Sequence, residues 1–96
     1  MLILVVYDIE TVSESGKGRL RRVAKACEAV GQRIQNSVFE CIFDASQFRG
    51  FQEKMKRLID PRVDSVRYYN LGNNYKTRVQ DVHPGALCFY EDPLIL

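Results

Sequence analysis

A chain of 96 residues is enough for one compact core and excludes a multidomain enzyme. With 46% hydrophobic and 27% charged residues, its composition is that of a folded soluble domain rather than a disordered segment. The formal net charge of +2 hides an uneven distribution, because Lys17, Arg19, Arg21, Arg22 and Lys25 fall in a stretch free of acid, which makes an anionic partner a fair expectation.

Leu2 to Tyr7 is an aliphatic run rich in β-branched residues and too short for a helix, which predicts a central strand buried on both faces. Asp8 closes it well short of a signal peptide or a membrane span, so a cytoplasmic protein with no membrane partner is expected. Thr11, Ser13, Ser15 and Gly16 mark a loop and a helix start. A helix is predicted from about Lys17 to Val30, with Leu20, Val23, Ala24, Cys27 and Val30 on its apolar stripe. Arg21, Arg22 and Lys25 then lie on its opposite side, and Gly31 is expected to end it.

From Gln32 to Phe43 the pattern turns to strand on either side of the turn-forming pair Asn36 and Ser37, leaving a hairpin and one kinked strand both open. A second helix is predicted over about Ser46 to Asp60, with Phe48, Phe51, Met55, Leu58 and Ile59 on one stripe, Asp44 or Ser46 as cap and Pro61 as its stop. Asp64 to Leu71 reads as a strand, Gly72 to Asn74 as a turn, Thr77 to Val82 as extended, and Ala86 to Tyr90 as a last short strand. This order predicts an α+β fold over residues 1–96, a ferredoxin-like sandwich with a mainly antiparallel sheet and both helices on one face. The apolar tail Leu94 to Leu96 either docks on a second subunit or tucks against its own sheet edge.

Several motifs are excluded by their spacing. Cys27, Cys41 and Cys88 are odd in number, far apart and set in apolar stretches, as reduced core cysteines are. Gly16-Lys17-Gly18 lacks the third glycine of a dinucleotide fingerprint, Arg21 standing in its place, and no Ser or Thr follows the lysine of a phosphate loop. Arg49-Gly50-Phe51 resembles the start of an RNA-recognition signature, but Gln52 and Glu53 break it. The lone histidine, His83, precedes Pro84 in a predicted loop and offers no Ser-His-Asp or Cys-His assembly.

Asp8 is the position that suggests chemistry, an acid at the carboxyl end of a buried strand, where strand-to-helix loops commonly hold ligands. Magnesium takes one or two carboxylates plus waters and phosphate oxygens, so two copies of Asp8 meeting on a two-fold axis would suit one ion between subunits. The alternative is a side-chain-to-backbone turn leaving the strand. Arg21, Arg22 and Lys25 are likewise either an ordinary solvated helix face or a phosphate-binding one, with only Glu28 as a nearby acid. No base-reading element is visible, so binding is expected to follow backbone and shape.

Tyr7-Asp8-Ile9 at the end of the first strand, the run Gly31-Gln32-Arg33-Ile34-Gln35-Asn36-Ser37-Val38-Phe39-Glu40, and Asp64-Ser65-Val66-Arg67-Tyr68-Tyr69 together resemble the Cas-two family of small CRISPR-associated proteins. Pro93-Leu94-Ile95-Leu96 is also similar to members accompanying a DNA-targeting CRISPR subtype. The resemblance implies a ferredoxin-like homodimer in which each C-terminal segment, about 86–96, adds a strand to the neighbour's sheet. It implies work with the CRISPR integrase, the Cas-one protein, in inserting DNA fragments as new spacers, and magnesium-dependent endonuclease activity on single-stranded RNA or duplex DNA. By the same resemblance Asp8 is the catalytic and magnesium-site residue, while Tyr7, Arg22, Arg33 and Phe39 match positions linked to the site or the substrate path. Arg19 and Arg21 match only loosely, because the loop from Glu10 to Gly18 is longer than in many relatives; with Lys25 they are assigned electrostatic contact with nucleic acid. Two other readings stand beside this one: a non-catalytic adaptor that positions DNA between integrase subunits, and a small ferredoxin-like regulatory module binding a metabolite.

Overall fold

The computed structural model describes residues 1–81. Their elements run β1 (Leu2–Asp8), α1 (Glu14–Glu28), β2 (Gly31–Gln35), β3 (Val38–Ile42), α2 (Ala45–Leu58) and β4 (Ser65–Asn70), followed by a 3₁₀ turn at Tyr75–Thr77. The strands lie in the order β2-β3-β1-β4, with every neighbouring pair antiparallel. Val23 and Cys27 of α1 and Phe51 and Met55 of α2 join Ile3, Val5, Tyr7, Phe39 and Cys41 in one core, so both helices cover the same face of the sheet. The predicted ferredoxin-like α+β sandwich is the observed one.

The aliphatic run of β1 behaves differently from the expectation of burial on both faces. Ile3, Val5 and Tyr7 point under the helices and are buried; on the alternate face Leu2, at the start of the strand, is buried too, but Leu4 and Val6 are only half-buried and Asp8 is exposed. The helices shield one face alone, and within the described chain the other stays open.

Ser13 starts α1 earlier than periodicity indicates, because its Oγ accepts the Gly16 N–H at 3.0 Å and caps the helix. Gly31 is not the helix stop but the first residue of β2, where a Cβ would strike the Cys41 sulfur and come within 2.6 Å of the Glu40 carbonyl oxygen. Val30 accordingly leaves the apolar stripe and is exposed, while Ala26 is buried in the core.

The two open readings of residues 32–43 resolve into a hairpin whose connection is Asn36 and Ser37. Its register slips between Arg33 and Gln35, leaving Ile34 as a bulge, which is why no clean period of two is visible there. Asp44 begins α2 with a capping box: its carboxylate accepts the Gln47 N–H at 2.7 Å, and the Gln47 side chain accepts the Asp44 N–H at 2.9 Å. The helix ends at Leu58, short of the expected Asp60, because Pro61 disfavours helical geometry in the residue before it and Ile59 is already extended.

Thr77 does not begin an extended segment; it closes the 3₁₀ turn, with the Arg78 and Val79 N–H groups donating to the Tyr75 carbonyl. Val82, the expected strand Ala86 to Tyr90, Cys88 and the C-terminal tail lie outside the described residues. Cys27 and Cys41 are buried and unpaired, and burial pushes their thiols up to about 12 and about 11. Among the described residues no helix is long and apolar enough to cross a membrane.

Candidate functional site

Strand alternation puts Asp8 on the open face of the sheet with Leu4 and Val6, and the residue is exposed. It pairs with Ser65 of β4, and Arg67, opposite Val6, is its diagonal neighbour on that face. Among the described residues no hydrogen bond or ion pair engages the Asp8 carboxylate, so the alternative of a side-chain turn is not formed. Around it the open face carries Leu4, Val6 and Val38, half-buried, with Ile42 and Tyr69 exposed.

The loop after Asp8 is built around a second acid. Asp64, whose side chain has no exposed surface, accepts the Glu10 N–H at 2.9 Å, the Asp60 N–H at 2.8 Å and the Arg19 Nε–H at 2.7 Å. Arg19 also reaches Glu10 Oε1 and Ser15 Oγ, each at 3.4 Å. Its guanidinium is therefore held inside the protein's own loop, engaged by Asp64, Glu10 and Ser15. Glu10 is occupied as well: it accepts the Ser13 N–H at 2.6 Å and the Ser13 hydroxyl at 2.7 Å, bonds that lower its carboxyl below the ordinary value.

Burial alone would raise the Asp64 carboxyl, but the Arg19 hydrogen bond, the Asp60 and Glu10 N–H donors and the Arg19 charge together hold it below its ordinary value. Because the folded value lies below the unfolded one, its stabilising contribution is complete above 3.8 and is lost as the pH falls through the lower folded value. Urea denaturation across this acid range should show a shallower loss of stability in Asp64→Asn than in the unaltered chain.

Tyr7, Arg33 and Phe39 occupy the helix-covered side of the sheet, away from the face that carries Asp8. Phe39 is fully buried, and Tyr7, also buried, stacks on it at 6.2 Å and donates its hydroxyl to the Asn36 carbonyl at 3.1 Å. The Arg33 guanidinium sits 4.8 Å from the Phe39 ring centroid and pairs with Glu28 at 2.7 Å and the Asn36 carbonyl at 2.8 Å. The structure thus makes Tyr7 and Phe39 core residues rather than surface contacts, and Arg33 the brace above them. By engaging Glu28, Arg33 also removes the acid nearest the basic face of α1. Arg21, Arg22 and Lys25 are exposed there, with no ion pair among the described residues.

Among the described residues no three His, Cys, Asp or Glu side chains converge on a metal position. Asp8, exposed and unengaged, is the hard oxygen donor that a magnesium site of one or two carboxylates needs, the remaining positions going to water and phosphate. Among the described residues this strand end offers one such carboxylate, a donor that fits a magnesium site completed by a second carboxylate from another copy. Asp64 is the residue that sequence reasoning missed. It lies 45 residues from Arg19, and no local pattern signals such a pair.

Fold and site define a class: a ferredoxin-like α+β protein in which, among the described residues, the sheet face opposite the helices carries a strand-end carboxylate without a partner, and Arg21, Arg22 and Lys25 stand unpaired on the helix layer. Residues 1–79 match the model of the family described as CRISPR associated protein Cas2. The chain is 52% identical over 95 residues to the CRISPR-associated endonuclease Cas2 of Halalkalibacterium halodurans, covering 99% of each. It is 46% identical over 95 residues to a CRISPR-associated endoribonuclease Cas2 of Rhodospirillum rubrum, covering 99% of this chain and 100% of the relative. The crystal structure of Streptococcus pyogenes Cas2 matches with a TM-score of 0.75 and 43% identity, over 86% of this chain and 100% of that one. The chain belongs to the Cas2 family.

Proposed function

We propose that this protein acts in the cytoplasm as a homodimer that binds nucleic acid and scaffolds the Cas-one integrase during spacer acquisition, and that it cleaves single-stranded RNA or duplex DNA with magnesium. The observation that carries the proposal is Asp8, an exposed carboxylate with no partner among the described residues, at the end of β1 on the sheet face opposite the helices. The names of the similar proteins, endonuclease and endoribonuclease, support phosphodiester chemistry. The half-buried Leu4, Val6 and Val38 with the exposed Ile42 and Tyr69 favour a second copy on that face, since burying apolar surface drives association.

In this reading one Asp8 from each copy holds the ion. Bound magnesium supplies charge stabilisation at the scissile phosphate and acidifies a water. The chain's own residues present the Asp8 oxygens at a fixed strand end, keep the following loop closed through Glu10, and attract phosphates through Arg21, Arg22 and Lys25. Asp8→Asn is expected to lower magnesium-dependent cleavage by roughly 10²-fold or more, the scale of losing one charge-stabilising group in a transition state. Wild-type cleavage by the variant, with both proteins purified in parallel, would overturn the proposal.

A second reading, an adaptor without chemistry, is favoured by the placement of charge. Arg21, Arg22 and Lys25 belong to the helix layer and Asp8 to the opposite face of the sheet, so phosphate binding on α1 needs no contact with the acid. The expected outcome is that Arg21→Ala and Arg22→Ala weaken duplex binding and flatten its salt dependence, each lost phosphate contact lowering the log–log slope by about 0.9. If Asp8→Asn also leaves spacer integration with the integrase intact, the adaptor role stands apart from cleavage.

A further inference from the structure

We infer that Asp64 is a positioning residue for the strand-end acid: through Glu10 and Arg19 it fixes the backbone that presents Asp8 to a divalent cation. The inference rests on the reading of Asp8 as a magnesium ligand.

The backbone on both sides of Asp8 is tied to one short stretch of chain. Asp8 itself pairs with Ser65 in the β1–β4 ladder, and the Glu10 N–H donates to the Asp64 carboxylate at 2.9 Å. Asp64 and Ser65 are consecutive, so the point where β1 gives way to its loop is held by the start of β4. Asp64 is held in turn from two other directions, by the Asp60 N–H at 2.8 Å and by Arg19 of α1, whose Nε–H donates at 2.7 Å and whose second nitrogen lies at 3.4 Å. Those four donors match the acceptor capacity of a carboxylate, and the side chain has no exposed surface. Asp64 therefore has nothing left with which to bind a ligand itself, and any influence it has on one passes through the groups it grips.

The far side of the loop is closed as well. Glu10 folds its carboxylate onto Ser13, and Gly16 of α1 packs against the Glu10 carbonyl so closely that a Cβ there would collide with it. Asp8, by contrast, has no side-chain partner among the described residues, so its carboxylate is aimed by its backbone alone. An exposed acid on a mobile loop loses conformational freedom when it captures an ion, and a clamped backbone removes much of that loss beforehand. A buried ion pair is in general a weak source of stability compared with apolar packing, which leaves geometric specification as the stronger account of a charged clamp placed beside the acid.

Asp64→Asn is the direct test. The asparagine retains one oxygen, but its amide nitrogen only donates, so either the Glu10 N–H or the pair Asp60 N–H and Arg19 Nε–H loses its acceptor and one side of the clamp opens. Calorimetric titration of the full-length protein with manganese, used as a stand-in for magnesium, is expected to show affinity weakened about 10-fold in the variant, the lower end of the effect of removing a residue that orients a metal ligand. Asp8→Asn should abolish the binding. Added magnesium should restore cleavage in Asp64→Asn and not in Asp8→Asn. Thermal unfolding verifies that the titrated protein is folded; should Asp64→Asn fail to fold, Arg19→Gln, which leaves both backbone bonds to Asp64 in place, is titrated instead with the same expectation. Unchanged manganese affinity in the folded variant, with binding lost in Asp8→Asn, overturns the inference and leaves the Asp8 site standing. No manganese binding by the unaltered protein overturns both.

Discussion

Phe39→Ala costs the domain about 3–5 kcal/mol, the range for emptying a fully buried phenylalanine site. The ring has no exposed surface, stacks with Tyr7 at 6.2 Å and lies beneath the Arg33 guanidinium at 4.8 Å, so its loss opens a cavity at the middle of the sheet. Against a total stability of about 5–15 kcal/mol for a native protein, the folded population itself is put at risk. Each kcal/mol corresponds to about 4–8 °C of melting temperature in a domain of this size. Urea denaturation and thermal melting measure the effect directly. The consequence for function is specific: any fall in cleavage or nucleic-acid binding should track the unfolded fraction. Phe39→Leu, which keeps most of the volume, should retain both per folded molecule. A folded Phe39→Leu protein that no longer binds nucleic acid would place the ring on the substrate path after all.

Gly16→Ala is expected to destabilise by about 1–3 kcal/mol, the usual penalty for overpacking a tight contact. The sign is the informative part, because in an exposed helix interior the same substitution stabilises by about 0.5–1 kcal/mol. At Gly16 the added methyl points at the Glu10 carbonyl oxygen and lies 2.8 Å from the Glu10 carboxylate. Since Glu10 donates its N–H to Asp64, relieving that collision pulls on the clamp that follows Asp8. Gly50 in α2 is the internal control: nothing lies within 4 Å of a Cβ there, so Gly50→Ala should raise stability. Opposite signs in paired urea denaturation curves are the expected result. A stabilised Gly16→Ala protein would mean that the loop yields freely and does not constrain the strand end.

The features read correctly from the sequence were those with local signals. An aliphatic run closed by one acid marked both β1 and Asp8, the residues Asn36 and Ser37 marked a turn without deciding between a hairpin and one kinked strand, and Asp44 before an apolar stripe at helical spacing marked α2. The basic stretch of α1 was equally visible, yet its members separate in space: Arg19 turns inward to Asp64, whereas Arg21, Arg22 and Lys25 remain on the surface. The start of α1 was misplaced because its cap is a serine amid other polar residues, and the apolar period begins only after the first turn.

By itself the sequence determined the order of the elements, the fold class they imply, the acid at the end of the first strand and the cationic helix after it. Only the tertiary structure decided that Tyr7 and Phe39 lie under the helices while Asp8 lies on the open side, and that Arg19 closes a loop through Asp64. The physical reason is the same in each case. Alternation sorts a strand's residues into two sets without saying which set the helices will cover, and an ion pair between segments far apart in the chain leaves no periodic trace in either one.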